Sequence, residues 1–587
     1  MCLTNLLYIG DRVIRSSTGK IIKPMTQHVD LFQKMTRDRI VRKAFYKFLH
    51  PYEVDEICNG FRRSHGGPEA TDEDFMSYDQ PEHKVDRDQH YRKALRKVAE
   101  AFRPPEKFKP VHYTDQRYYP WELAVSAESP YNIGQWYDDY LKRLQRELPP
   151  GEKFTYAKTF HNFYDKIFVD NRLNIHKIKD RHPDFFDAAT GLPKPYYWTN
   201  LRSRFHVVKA DEPDKIRAVF GVPKLLLQAE QTFIWPMLSH YLDNSDRYPL
   251  LWGNEMMSGG WRKLNRTIYN GRTVNTVLSL DWSQFDKRAL HEVIDDVHDI
   301  WRSYFDFSFY MPTSFYPNAP TDESRLENLW EWMTYNIKKY PIRLSSGKLS
   351  QWRFNGIASG FQQTQLLDSF VNMIMILTCL SRAGVNINSK DFFISSRGRF
   401  TYRTFPEMMY QLHGMKFLDM IANNAMYYFN AKLNVDKSEI NWNTNGMKVL
   451  GYPNDYGTPR RTDQDLLSHL FFPERIYSLP SLASTCIGIA YASCGSNPKV
   501  YAICQDIFLF LRNVFDVAPD VVTNRWMFRA GLLNYDEFTS MTFNSFPSML
   551  ELQARTLGQP TRSLATRERL WPTLPESKNG FHFLCKP

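Results

Sequence analysis

Apolar positions along the chain follow two different periods. In residues 86–102 (DRDQHYRKALRKVAEAF) they recur every three or four residues between charged neighbours, which predicts an amphipathic helix. Charge-rich text of this kind fills residues 1–150. A Pro-rich stretch at 104–120 and a Pro-Pro-Gly break at 149–151 punctuate it. From about 200 to 460 the pattern changes. Short apolar runs at 276–280 (TVLSL) and Phe392–Ile394 predict buried strands, and long helical segments at 289–304 and 364–380 alternate with them. Beyond Arg461 the chain reads as mostly helical, and no internal repeat or low-complexity tract interrupts it. The pattern predicts an α+β protein, with a mixed central domain between two helix-rich flanks.

Composition narrows the class. At roughly 150 residues per domain, 587 residues suggest about four domain-sized units. Hydrophobic residues make up 43% and charged residues 24%, which excludes wholesale disorder. A net charge of +11 suits either simple solubility or a polyanionic partner. The seven cysteines (Cys2, Cys58, Cys379, Cys486, Cys494, Cys504, Cys585) form no CxxC pair, so a zinc module or disulfide framework is not expected and a reducing compartment is. The N-terminus lacks the apolar core of a secretory signal, and residues 483–492 are too short to span a bilayer. A protein of the cell interior, away from the membrane, is the expectation.

Two segments carry candidate chemistry. The run TVLSL leads into Asp281-Trp282-Ser283-Gln284-Phe285-Asp286. A carboxylate at a strand end can ligate Mg²⁺ while waters and substrate phosphates complete the shell. Read alone, the same pattern equally suits a helix N-cap. Downstream, Ser359-Gly360-Phe361-Gln362-Gln363-Thr364 opens a helix that carries Asp368 and Asn372. A Ser-Gly turn before a helix can present N–H groups to a phosphate or sugar, and Thr364 and Asn372 fall near one helix face. Alone, that pattern is equally a capped helix with a polar stripe.

Together, DWSQFD, SGFQQTQLLDSFVN and the later KSEI and GMKVLGY resemble the RNA-dependent RNA polymerases of partitiviruses, over about residues 200–460. The resemblance implies a right-hand polymerase with a helix-rich N-terminal extension. Residues 1–150 would form that extension and part of the fingers, and residues 151–275 the fingers. The palm would span 276–460, with a fingers segment interleaved near 302–350, and residues 461–587 would form a helical thumb. It also implies RNA-directed synthesis from ribonucleoside triphosphates, for transcription and replication of a double-stranded RNA genome. Template and product RNA and a capsid protein would be the partners, in the virion interior and host cytoplasm. Asp281 would hold Mg²⁺ (or Mn²⁺). Asp286 with Asn372 would recognise the 2′-OH, with Ser359, Gly360 and Thr364 supporting the sugar and the template backbone. Lys215 and Arg217 resemble a basic finger that faces the triphosphate; on spacing alone they also fit a solvated edge strand. Lys437 matches a lysine that protonates the leaving pyrophosphate, or is an exposed lysine at a helix end. Residues 451–453 (Gly-Tyr-Pro) stand where the primer strand would be gripped.

One element of the family is missing. A Gly-Asp-Asp turn is expected after Phe392–Ile394, but the text reads Ser395-Ser396-Arg397-Gly398-Arg399, with no acid between Asp391 and Glu407. Guanidinium cannot ligate a cation. Each like-charge pair at ~4 Å costs about 4 kcal/mol at an effective dielectric of about 20, so Arg397 and Arg399 should repel metal. Asp391, Glu407 and Asp419 lie off the turn. The genetic code permits an explanation: CGG GGA CGA UUC encodes Arg-Gly-Arg-Phe, and read one base later it gives Gly-Asp-Asp-Ser. A short compensated frameshift over about 395–407 would hide the motif, as an artefact or as a lesion in a defective or endogenised copy. The rival expectation is a catalytically inactive homologue that binds RNA or capsid.

Overall fold

The computed structural model describes residues 4–12, 30–65, 67–149, 151, 155–252, 255–269, 277–313, 317–387, 392–394, 400–402, 407–474, 477–520 and 546–558, with side chains from 388 to 415 left aside. It is mixed helix and strand. A four-stranded sheet at its centre has the order Phe392–Ile394, Phe400–Tyr402, Val277–Leu280, Glu439–Asn441. Each neighbouring pair is antiparallel. All four residues of Val277–Leu280 are buried, as a strand covered on both faces requires.

Helix Thr364–Arg382 lies against this sheet, nearly all of it buried. By length and mean hydropathy (1.3) it could cross a membrane, but 83% of its apolar window is buried within the protein, as in a core helix. The charge-rich N-terminal region supplies part of its cover. Helix Gln89–Ala101 turns Tyr91, Ala94 and Val98 inward and packs along it. Asp88 caps that helix, accepting from the amides of His90 and Tyr91, which satisfies two of the N–H groups a helix start leaves unpaired.

A second sheet of five strands has the order Leu6–Asp11, Lys348–Trp352, Ile342–Arg343, Thr199–Phe205, Ile216–Gly221. Residues from three distant stretches thus share one sheet, and Ile216–Gly221 forms its edge. Helices Tyr164–Lys179, Lys224–Asp243 and Glu323–Lys339 pack together beside it. A separate hydrophobic core joins helices Leu31–Phe48 and Pro51–Gly60 to the C-terminal helices Asp463–Phe471, Leu479–Ala492 and Pro498–Phe515. The next strand, Phe61–Arg63, pairs with Val207–Lys209. Helices Leu31–Phe48 and Pro51–Gly60 with strand Phe61–Arg63 therefore bridge the C-terminal helices to the region of the basic strand.

Candidate active site

Leu280 ends the central strand, and Phe400 pairs with it while Ile394 pairs with Phe400. These three residues mark one end of the sheet, one residue before Asp281. The turn expected to hold carboxylates, Arg397-Gly398-Arg399, lies outside the described residues.

Backbone bonds fix Asp281. Its carbonyl accepts from the Asn434 amide (2.8 Å), and its amide donates to Ser438 Oγ (3.2 Å). Trp282 and Ser283 then pair with Leu433 and Lys432. Lys437, exposed on the turn Val435–Lys437, is thereby tied to the Asp281 backbone. Gln284 turns the chain in the left-handed region (φ 55°) into the one-turn helix Phe285–Arg288. Neither aspartate caps a helix: Gln284 precedes that turn and Leu290 precedes helix His291–Ser303. The N-cap explanation for the Asp-rich turn thus falls away.

Asp286 accepts from Tyr78 Oη (3.1 Å). It keeps a solvent-facing edge, yet the protein crowded round its carboxyl raises its pKa, opposed by Lys287, Tyr78 and Arg217. Its carbonyl accepts from the Ile357 amide (2.9 Å), which ties this turn to the Ser-Gly segment. Asp368, one helical turn after Thr364, has a buried Oδ1 with no hydrogen-bond partner among the described atoms. Burial raises its pKa well above the carboxylate range, and Asp286 adds to that. The sequence placed Asp368 on this helix without a role; its signal was the i, i+4 spacing from Thr364.

Asn372 is fully buried, and its Oδ1 accepts from the Trp282 indole (2.7 Å) while Nδ2 has no partner among the described residues. The Thr364 hydroxyl donates to the Ala358 carbonyl (2.6 Å), closing the loop that starts the helix. Ser359 is exposed, its hydroxyl 3.5 Å from the Ala218 carbonyl. Gly360 lies hard against the basic strand: a Cβ there would stand 2.3 Å from the Phe220 carbonyl oxygen and 2.8 Å from Val222 Cγ2.

A buried carboxylate that the sequence did not reveal holds this loop. Glu230 accepts from the amides of Gln362 (2.7 Å) and Gln363 (3.3 Å) and from Gln363 Nε2 (3.0 Å), and His298 Nε2 meets Gln363 Oε1 (2.9 Å). Burial lifts the Glu230 pKa from 4.5 to about 8, against those donors. A carboxyl raised on folding stabilises fully below its unfolded pKa and loses this contribution as pH climbs through its folded pKa. Glu230→Gln removes that proton linkage. Between about pH 5 and 8 the variant's unfolding free energy should fall less steeply than the wild type's, by up to roughly 1.4 kcal/mol per pH unit. Denaturant melts across that range give the slopes, and equal slopes would refute the role assigned to Glu230.

Lys215 and Arg217 come to the same place along the edge of the second sheet. Both are exposed, and Arg217 pairs across the ladder with Arg204, which is held by Glu474 (2.8 Å). Desolvation lowers the Lys215 pKa most, then Arg217 and Lys437, while Glu212 and Asp281 raise it. Lys215 thus lies within the field of Asp281 and Lys437, which are far from it in sequence.

The basic edge strand and the Ser-Gly helix start are thus tied to the turn that follows the central strand and carries Asp281 and Asp286. The chain belongs to the viral RNA-dependent RNA polymerase family, which its residues 49–402 match. It is 29% identical to the RNA-directed RNA polymerase of White clover cryptic virus 1 (isolate Boccardo/2004), over 97% of this chain and 96% of that one. It is 25% identical to the RNA-directed RNA polymerase of Atkinsonella hypoxylon virus (isolate 2H), over 68% and 64% respectively. The protein is a partitivirus-type RNA-directed RNA polymerase, with RNA and nucleoside triphosphates as its substrates.

Such polymerases work with divalent metal ions, and the residues present do not fit that requirement. Among the described residues no three His, Cys, Asp or Glu side chains cluster to hold an ion. The segment 395–399 adds two arginines and no acid. The family match stops at Tyr402, inside the stretch that a frameshift over 395–407 would rewrite.

Proposed function

We propose that the cleft around Asp281 is the site of template-directed RNA synthesis, with Lys215 and Arg217 binding the triphosphate of the incoming nucleotide. The observation that carries this reading is the tying of separate segments into one place: Gly360 lies against Phe220 of the basic strand, the Ile357 amide bonds the Asp286 carbonyl, and the turn at 434–438 that holds Lys437 bonds Asp281. Two exposed cations on one edge strand can spread over linked phosphates, and the Arg217 fork can take two oxygens at once. Lys437, held beside Asp281 through the backbone, can deliver a proton to the departing pyrophosphate. Asp286 recognises the ribose 2′-OH. Asn372 orients the adjoining turn through Trp282, and Asp368 adds a second carboxyl toward Asp286. Ser359, Gly360 and Thr364 shape the loop on which the sugar and template backbone rest.

In this reading residues 1–150 form an N-terminal extension and part of the fingers, 151–275 the fingers, 276–460 the palm and 461–587 the thumb. The segment near 302–350 belongs with the fingers, which its strands support by joining the sheet of Thr199–Phe205 and Ile216–Gly221. A capsid protein is the proposed partner, in the virion interior and host cytoplasm. Asp281 is the proposed ligand of Mg²⁺ or Mn²⁺, in a site whose Gly-Asp-Asp carboxylates this sequence lacks. That lack also favours a second reading, in which the chain as it stands is an inactive homologue that binds RNA or capsid.

Sugar selection tests the site independently. In a chain carrying Gly-Asp-Asp at 397–399, Asp286→Ala should lower the preference for ribo- over deoxynucleotides by about tenfold, the worth of one hydrogen bond to a hydroxyl. Single-nucleotide extension with both sugars measures this ratio. An unchanged ratio removes Asp286 from sugar recognition.

A further inference from the structure

Away from the Asp281 cleft, a cavity of about 210 Å³ opens between helices Tyr164–Lys179 and Glu323–Lys339. Its walls include His112, Arg172, His176, Lys179, Tyr310 and Arg325. None of these residues belongs to the segments proposed for catalysis. Arg172, His176 and Lys179 follow i, i+4, i+7 spacing, so one helix face presents them all over about 10 Å of axis.

Lys179 is the most telling member. It is only 6% exposed, and its ammonium donates to Tyr310 Oη (2.8 Å) without forming an ion pair among the described residues. A buried ammonium that lacks a carboxylate loses solvation without full compensation. Arg325 pairs with Asp180 (2.8 Å) and also reaches His176 Nδ1 (3.3 Å). The one carboxylate in the wall, Asp322, is occupied as a helix cap, accepting from Ser324 N (3.0 Å), Ser324 Oγ (2.6 Å) and Arg325 N (3.4 Å).

The histidines feel the same field. Burial, then Lys179, Arg172 and His176, together push the His112 pKa down to about 4. His176 is lowered by burial and then by Lys179, Arg325 and Arg172. Both rings are therefore neutral near pH 7, each offering one N–H donor and one acceptor. Three permanent or near-permanent cations, two imidazoles and a phenol thus surround a space smaller than a usual ligand pocket. A whole nucleotide does not fit such a space, whereas linked phosphates do, and three cations suit the several charges of linked phosphates better than a single phosphate.

We propose that this cavity is a binding site for the polyphosphate group of a nucleotide, carried either by a free nucleoside triphosphate or by a 5′-triphosphorylated RNA end, with Arg172, Lys179 and Arg325 as its cationic contacts. The assignment stands apart from the roles given to the Asp281 cleft.

Isothermal titration calorimetry of the full chain carrying Lys215→Ala and Arg217→Ala removes the other proposed triphosphate contacts. In metal-free buffer, inorganic pyrophosphate should bind saturably at one site. Arg172→Gln and Lys179→Gln should each weaken it by at least about tenfold. Arg172 is only partly buried, so its variant keeps the test sound should loss of the buried Lys179 disturb folding; thermal melts check both. Parallel titrations with GTP and with short RNAs bearing a 5′-triphosphate or a 5′-hydroxyl identify the source: the tighter of GTP and triphosphorylated RNA is the ligand. Absence of saturable pyrophosphate binding overturns the proposal. So does equal affinity in the Arg172 variant, or binding of GTP and triphosphorylated RNA no tighter than that of sulfate and 5′-hydroxyl RNA.

Discussion

Replacing Arg397, Gly398 and Arg399 together (Arg397→Gly, Gly398→Asp, Arg399→Asp) should raise Mg²⁺-dependent primer extension by at least about a thousandfold, equivalent to roughly 4 kcal/mol of barrier. The chain as it stands should show extension near background. The reason is electrostatic before it is geometric. Two cations become two anions in the segment between Phe392–Ile394 and Phe400–Tyr402, and net charge drops from +11 to about +7. A site that repels divalent ions becomes one that attracts them. The surrounding frame needs no rebuilding, since Ile394, Phe400 and Leu280 already align at that strand end. Full activity of the unaltered chain would show that the arginines are compatible with catalysis, and no gain on substitution would favour the RNA- or capsid-binding reading. The nucleotide sequence over 395–407 separates the causes. Codons that cannot read GGG GAC GAU in the adjacent frame exclude a frameshift.

The second large effect is expected from one methyl group. In the Gly-Asp-Asp background, Gly360→Ala should cut kcat/KM by about a hundredfold and cost about 1–3 kcal/mol of stability. Its Cβ would fall 2.3 Å from the Phe220 carbonyl oxygen, a backbone atom with nowhere to rotate. Relief requires the Ser-Gly loop to part from strand Ile216–Gly221, which carries Arg217, so sugar support and triphosphate contacts separate. A misplacement near 1 Å suffices for a loss of this size. Ser359→Ala is the control: its hydroxyl makes only a 3.5 Å contact with Ala218, and the loop should stay closed. Steady-state extension kinetics with denaturant melts measure both quantities. A Gly360→Ala enzyme as fast as its parent would break the proposed link between loop and strand.

Several elements were legible without the fold. The predicted strand at 276–280 is observed as Val277–Leu280, with Thr276 outside the described residues, and Phe392–Ile394 matches its run. The helix predicted over 364–380 runs two residues further, to Arg382. That predicted over 289–304 begins later, at His291, because Phe285–Arg288 forms its own turn and Leu290 bridges to Asn355. The helix read in residues 86–102 starts at Gln89, behind the Asp88 cap. These are local features, and periodicity with end-capping is enough to find them.

The site was legible in a different sense. Its words (DWSQFD, SGFQQT, the basic strand, the lysine at 437) stand in the sequence, and so does the arginine pair that denies it carboxylates. What no spacing rule contains is how those words meet. Lys215 and Asp281 are brought together by two sheets whose strands come from distant stretches, and pairing across such distances leaves no local period to read. The same holds for Asn372, which spacing placed on one helix face with Thr364 and whose Oδ1 the fold sets against the Trp282 indole. It holds for Glu230, unremarkable in an apolar helix until the loop of Gln362 and Gln363 docks on it. It holds for helices Leu31–Phe48 and Pro51–Gly60, whose shared core with the C-terminal helices no local pattern shows. By itself the sequence determined the elements, the family and the missing charges. Only the tertiary structure decided which charges share a field and which polar groups are spent on holding the frame, because burial and through-space electrostatics depend on contacts between residues far apart in the chain.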